Sequence, residues 1–178
     1  MRRQFGLTLI SVFASVCALN AQPSRILVEE ARFQWTVVRN NLLKMAEKMP
    51  ATEYSFKPTP EIETFAQRVA HIARSNLNVC EGNLKGQSTP APVVTTKPDL
   101  VSLLKEASTT CDSVFNSLND TTALDKISLQ FGGPFPPNPS RTKLATLYNM
   151  IRHSNEVYGY MCVYLRLKGI VPPSSAPE

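Results

Sequence analysis

Histidine is scarce in this chain: among 178 residues there are 2, His71 and His153, so any site built from imidazoles must use both or borrow other ligands. No CxxC pair and no close cysteine/histidine cluster occurs, which excludes a finger-type structural zinc site and a thioredoxin-type redox pair. Phosphate-cradling glycine loops are missing as well, because "FGGP" at 131–134 runs into prolines instead of a helix start. No Ser-His-Asp arrangement is visible. Nucleotide-binding and serine-hydrolase readings are set aside on these grounds. Charge of one sign is not concentrated either. The net charge is +5, with Lys and Arg interspersed among Asp and Glu, so no nucleic-acid partner is expected.

Long apolar runs are nearly absent. The exception, Leu7 to Leu19, follows Arg2 and Arg3 and ends in small residues, which reads as a secretory signal peptide over residues 1–21 with cleavage after Ala21. The run is shorter than a bilayer-spanning helix needs and nothing later is as apolar, so no transmembrane span is expected. The expected destination is the periplasm or the exterior. Residues 22–178 suffice for one domain with a sizeable core, and losing Arg2 and Arg3 lowers the net charge from +5 to +3. Cys80, Cys111 and Cys162 remain, an odd number that allows at most one internal disulfide.

Four segments carry the three-four apolar spacing of a helix face, and none of any length alternates like a strand. The first, about 24–49, places Val28, Ala31, Trp35, Val38, Leu42, Met45 and Met49 inside and stops at Pro50. In the second, ending near 82, Thr59 and Pro60 read as N-cap and first helical residue, with Ile62, Phe65, Val69, Ile72 and Val79 inside. A Pro/Thr/Ser-rich connection, 83–97, leads to the third helix, with Leu100, Leu104, Ala107, Cys111, Val114 and Leu118 inside. The fourth, about 141–168, turns Leu144, Leu147, Ile151, Tyr158, Cys162 and Leu165 inward. Four helices of 20 to 28 residues make an all-α four-helix bundle. The long connection between helices two and three favours an up-down-down-up course. Cys80 and Cys111 then lie at similar heights on or beside apolar faces. They form either a disulfide or two buried thiols.

Both histidines lie off these apolar faces. His71 shares a stripe with Thr64, Gln67, Ser75 and Asn78; His153 shares one with Thr146, Asn149, Glu156, Tyr160 and Tyr164. They are either two solvated side chains or the two walls of a groove between helices two and four. Three stretches, "MPATEYSFKPTPEIETFAQRVAHIARSN" (49–76), "HSNEVYGY" (153–160) and "YLRLKGIVPPSS" (164–175), together resemble the DinB family of metalloenzyme-like bundles. The resemblance implies the up-down-down-up bundle over residues 22–178, a tendency to form homodimers, and a groove where one histidine of helix two and an H-x3-H pair of helix four hold a divalent metal. His71 and His153 match the first two ligand positions. The third is Val157.

Valine has no lone pair, whereas an open catalytic zinc or nickel site takes three protein ligands and a water. Glu156 is a candidate replacement, although its side chain leaves the helix about 100° away from that of residue 157. Related proteins are implicated in metal-dependent hydrolysis and in transfer or isomerisation using small cytoplasmic thiols, which an exported protein would not meet. Two functions are therefore expected. The first is a binding protein for a small molecule, with a degenerate histidine triad holding no metal or a weakly bound zinc or nickel ion, its groove lined by Val157, Asn149, Tyr160 and Tyr164. The alternative is a metal-dependent hydrolase- or transferase-type enzyme using His71, His153 and Glu156. No further catalytic residue is assigned.

Overall fold

The computed structural model describes residues 23–87, 90–128 and 140–176; the expected signal peptide and most of "FGGPFPPNPS" lie outside the described residues. Helix α1 spans Ile26–Lys48, and all seven of its expected inward residues are buried. It stops at Met49, whose backbone turns extended because a residue before proline is barred from the helical region.

Helix α2, Phe65–Leu77, starts later than Thr59 and Pro60 suggested and is shorter than expected, with 13 residues. Its N-cap is Thr64, whose side chain accepts the Gln67 amide N–H while the Gln67 side chain accepts that of Thr64. This reciprocal box satisfies two otherwise orphaned donors. A helix begun at Thr59 would carry Ile62 at the answering position, with nothing to offer. Ile62 is accordingly exposed, not inside. Beyond Leu77 the chain widens into a π-helical stretch, Asn78–Asn83.

Helix α3, Lys97–Ser117, is capped by Thr96. A short helix α4, Asp120–Ala123, follows. Strands β1, Lys126–Ser128, and β2, Ser140–Thr142, then pair antiparallel with Ile127 opposite Arg141. No strand was expected from the sequence, and three residues per strand are too few to display alternation. Helix α5, Lys143–Leu167, begins at the Thr142 cap.

In the bundle α1 packs on α3 and α5, and α2 packs on the same two helices. Because α5 faces two neighbours it buries two stripes. One holds Leu147, Ile151, Tyr158, Cys162 and Leu165; the other holds Met150, Ser154, Val157, Met161 and Tyr164. Cys80 and Cys111 are bonded, S–S 2.00 Å, tying the π-helical stretch to α3. Cys162 is a buried free thiol. Trp35 is fully buried against Phe115 and donates its indole N–H to Asp112 at 2.8 Å. Among the described residues no helix is long and apolar enough to cross a membrane.

Candidate functional site

Helix α2 carries His71 on its exposed side, and α5, packed beside it, carries His153, about one third exposed. Their Nε2 atoms stand 3.0 Å apart. The ring planes cross at 76° with centroids 5.2 Å apart, nearly the greatest separation two imidazoles touching at 3.0 Å can have. The nitrogens therefore meet end on. This is the geometry of one ring donating an N–H to the lone pair of the other. Only one proton fits between them, and doubly charged imidazoles would repel.

Burial, and after it the neighbouring His71, pushes the His153 pKa below the ordinary imidazole value of 6.5, with Glu156 pulling the other way. The Glu156 carboxylate lies 3.9 Å from Nδ1 of His153, on the far side of the ring from His71. That distance is too long for a hydrogen bond, yet it favours a proton on Nδ1. Glu156 is otherwise engaged. It accepts the Tyr160 hydroxyl at 2.7 Å and faces Arg152 at 3.4 Å. The tyrosine hydroxyl and then Arg152 and His153 hold its pKa below the usual carboxylate value. Tyr160 is pushed up by the same bond. Among the described residues no group of three or more His, Cys, Asp or Glu side chains is placed to hold a metal ion.

The other sequence-assigned residues fall differently. Val157 is 1% exposed and Tyr164 2%, so both belong to the core stripe of α5 and do not line an open groove. The single apolar face expected for that helix left no room for a second buried stripe. Tyr164 also donates its hydroxyl to the Glu63 carbonyl at 2.6 Å, pinning the approach to α2. Tyr160 is half exposed, with Arg68 over its ring, and Asn149 is half-buried. Beneath the histidines, Ser154 donates to the buried Asn76 at 3.1 Å across the α2–α5 interface.

A groove of about 600 Å³ does open at His71, but on the other side of α2 from the one expected. Its near wall is Gln67, His71, Arg74 and Ser75 of α2, with Glu63 before the helix and Asn78 after it; Ala66 and Ala70 form its floor, and Val93, Val94 and Thr95 of the connection before α3 its opposite wall. Arg74 donates to the Pro92 carbonyl at 3.2 Å. Sequence reasoning missed Arg74 and the 93–95 wall. The signal available was the position of Arg74 three residues after His71 together with the length of the connection.

The family model described as the DinB superfamily matches residues 34–161. Among solved structures, a DinB-like protein from Bacillus cereus superposes with a TM-score of 0.68 at 17% identity, covering 82% of this chain and 95% of that one. A DinB-like protein from Bacillus subtilis gives 0.62 at 22% identity, covering 79% and 92%. A mycothiol-dependent maleylpyruvate isomerase gives 0.55 at 14% identity, covering 75% of this chain and 59% of its own. No curated protein matches the chain. With that model matched across most of its length and the same helical fold in its neighbours, the chain belongs to the DinB superfamily.

Proposed function

We propose that the protein is an exported DinB-like bundle whose three-histidine metal site is reduced to a histidine pair, and that it binds a small molecule in the groove walled by His71. The third ligand position carries the reading. Val157 has no lone pair and packs inside the bundle, while His71 and His153 turn their Nε2 atoms on each other. The side chains present fill two corners of a site that requires three protein ligands and a water, so they do not fit an open catalytic zinc or nickel centre. Two imidazoles alone make a weak chelate for either ion.

Export is supported by the Cys80–Cys111 bond, since disulfides persist in oxidising compartments. An up-down-down-up course is supported by contacts between helix ends. Arg25 before α1 donates to the Leu118 carbonyl after α3, Lys97 opening α3 reaches the Met49 carbonyl after α1, and Lys168 after α5 pairs with Glu53. The groove's volume lies in the range of small-molecule sites. Quantifying zinc and nickel by elemental mass spectrometry on protein purified without a histidine tag tests the reading. The expected content is far below one ion per chain; a full equivalent of either metal contradicts it.

A second reading, a metal-dependent enzyme using His71, His153 and Glu156, draws on the 3.0 Å approach of the two imidazoles and on the likeness to a mycothiol-dependent isomerase. It requires the Glu156 carboxylate to leave Tyr160 and swing to the Nε2 side of His153. Replacing Glu156 with Gln would then remove metal binding, and on the first reading would leave it unchanged.

A further inference from the structure

Arg74 is half-buried on α2 and walls two adjoining cavities, the groove at His71 and a smaller one of about 210 Å³ that runs past Glu81 and Gln87. Among the described residues no carboxylate lies within ion-pair distance of its guanidinium, whereas its neighbour Arg68 is paired with Glu63 at 3.2 Å. One N–H of Arg74 is tethered to the Pro92 carbonyl. The tether fixes the planar fork and leaves its remaining donors for another acceptor. An arginine held in this way is suited to a carboxylate, which takes two parallel N–H bonds.

The rest of the groove selects what is attached to that carboxylate. Ala66, Ala70, Val93 and Val94 offer an apolar floor and far wall, which favours a hydrocarbon or aromatic body over a bare anion. Each cavity has one glutamate in its lining, Glu63 in the groove at His71 and Glu81 in the smaller one, and the Glu63 charge is offset by its ion pair with Arg68 at 3.2 Å, which leaves the groove at His71 as the better place for an anion. We propose that this groove binds a small organic carboxylic acid, its carboxylate on Arg74 and its apolar body between Ala70 and Val93–Val94. The proposal rests on the groove-binding reading above and names its ligand class.

Isothermal titration of the full mature chain with benzoate and butyrate, their neutral amides benzamide and butyramide, and inorganic phosphate provides the test. Both acids are expected to bind and the amides not. Arg74→Gln, checked for folding by circular dichroism, is expected to weaken the acids on the order of tenfold or more, the scale of a lost charge-assisted pair, with Arg74→Lys retaining part of the affinity. The proposal is overturned if the acids do not bind, if the amides bind equally, if phosphate alone binds, or if the folded Arg74→Gln protein binds as the wild type does. Tight zinc binding by a wild type that also takes up benzoate through Arg74 would instead remove the reduced-site reading and leave this assignment standing.

Discussion

At the scale of the residue, His153 couples the site to pH. Its pKa is lowered in the folded chain by burial and by His71, so protonation favours the unfolded state. The stability this neutral imidazole contributes is complete above about 6.5, its unfolded value, and is lost as pH falls through the lower folded value. Thermal melts are expected to hold steady from pH 8 to 7 and to drop below pH 6, less steeply in His71→Ala, where the like charge is gone. An equal drop in that variant would assign the effect elsewhere. Trp35 poses a different question. Its indole N–H, buried with the ring, has Asp112 as acceptor, and Arg39 pairs with the other carboxylate oxygen. Asp112→Ala strands the buried donor and is expected to cost about 1–3 kcal/mol in denaturant unfolding. A change near zero would mean that water replaces the carboxylate freely.

At the scale of the element, the stripe from Val28 to Met49 in and after α1 and the stripe from Leu100 to Leu118 in and after α3 were legible from their three-four spacing, whereas Leu103, Ser108 and Phe115, which α3 buries as well, lie beside the stripe that the spacing picked out. The start of α2 was not legible, because Thr59-Pro60 and Thr64 both look like caps and only the answering Gln67 separates them. Helix α5 was half legible. Its second stripe carries Ser154 and Tyr164, which read as polar until Asn76 and the Glu63 carbonyl receive their hydroxyls. The same stripe gives Val157 an ordinary packing role. The π-helical stretch after α2 is anchored to α3 by a disulfide closing a sequence separation of 31 residues. Cys80→Ser with Cys111→Ser is expected to lower stability by about 3–4 kcal/mol, the chain-entropy value for such a loop. An unchanged melting temperature, with and without reductant, would show that helix packing alone sets this junction.

At the scale of the whole molecule, the bundle and the identity of its two histidines could be read from the sequence, but the groove could not. Its far wall comes from residues 93–95, whose lack of periodicity gave no hint that they lie along α2. On the proposed reading, the fold supplies a metal site with one corner missing, Val157 standing at the third ligand position. Zinc titrations of the wild type, Val157→His and the double variant Val157→His with His71→Ala test it most directly. The wild type should bind weakly. Val157→His should bind zinc orders of magnitude more tightly, because a third imidazole adds a coordination bond of about 2.0–2.1 Å and leaves one position for water. Without metal that variant should be less stable, since it places a polar ring where valine was buried, and zinc should restore it. The double variant should lose the gain. Tight stoichiometric zinc binding by the wild type, or no gain in Val157→His, would contradict the account.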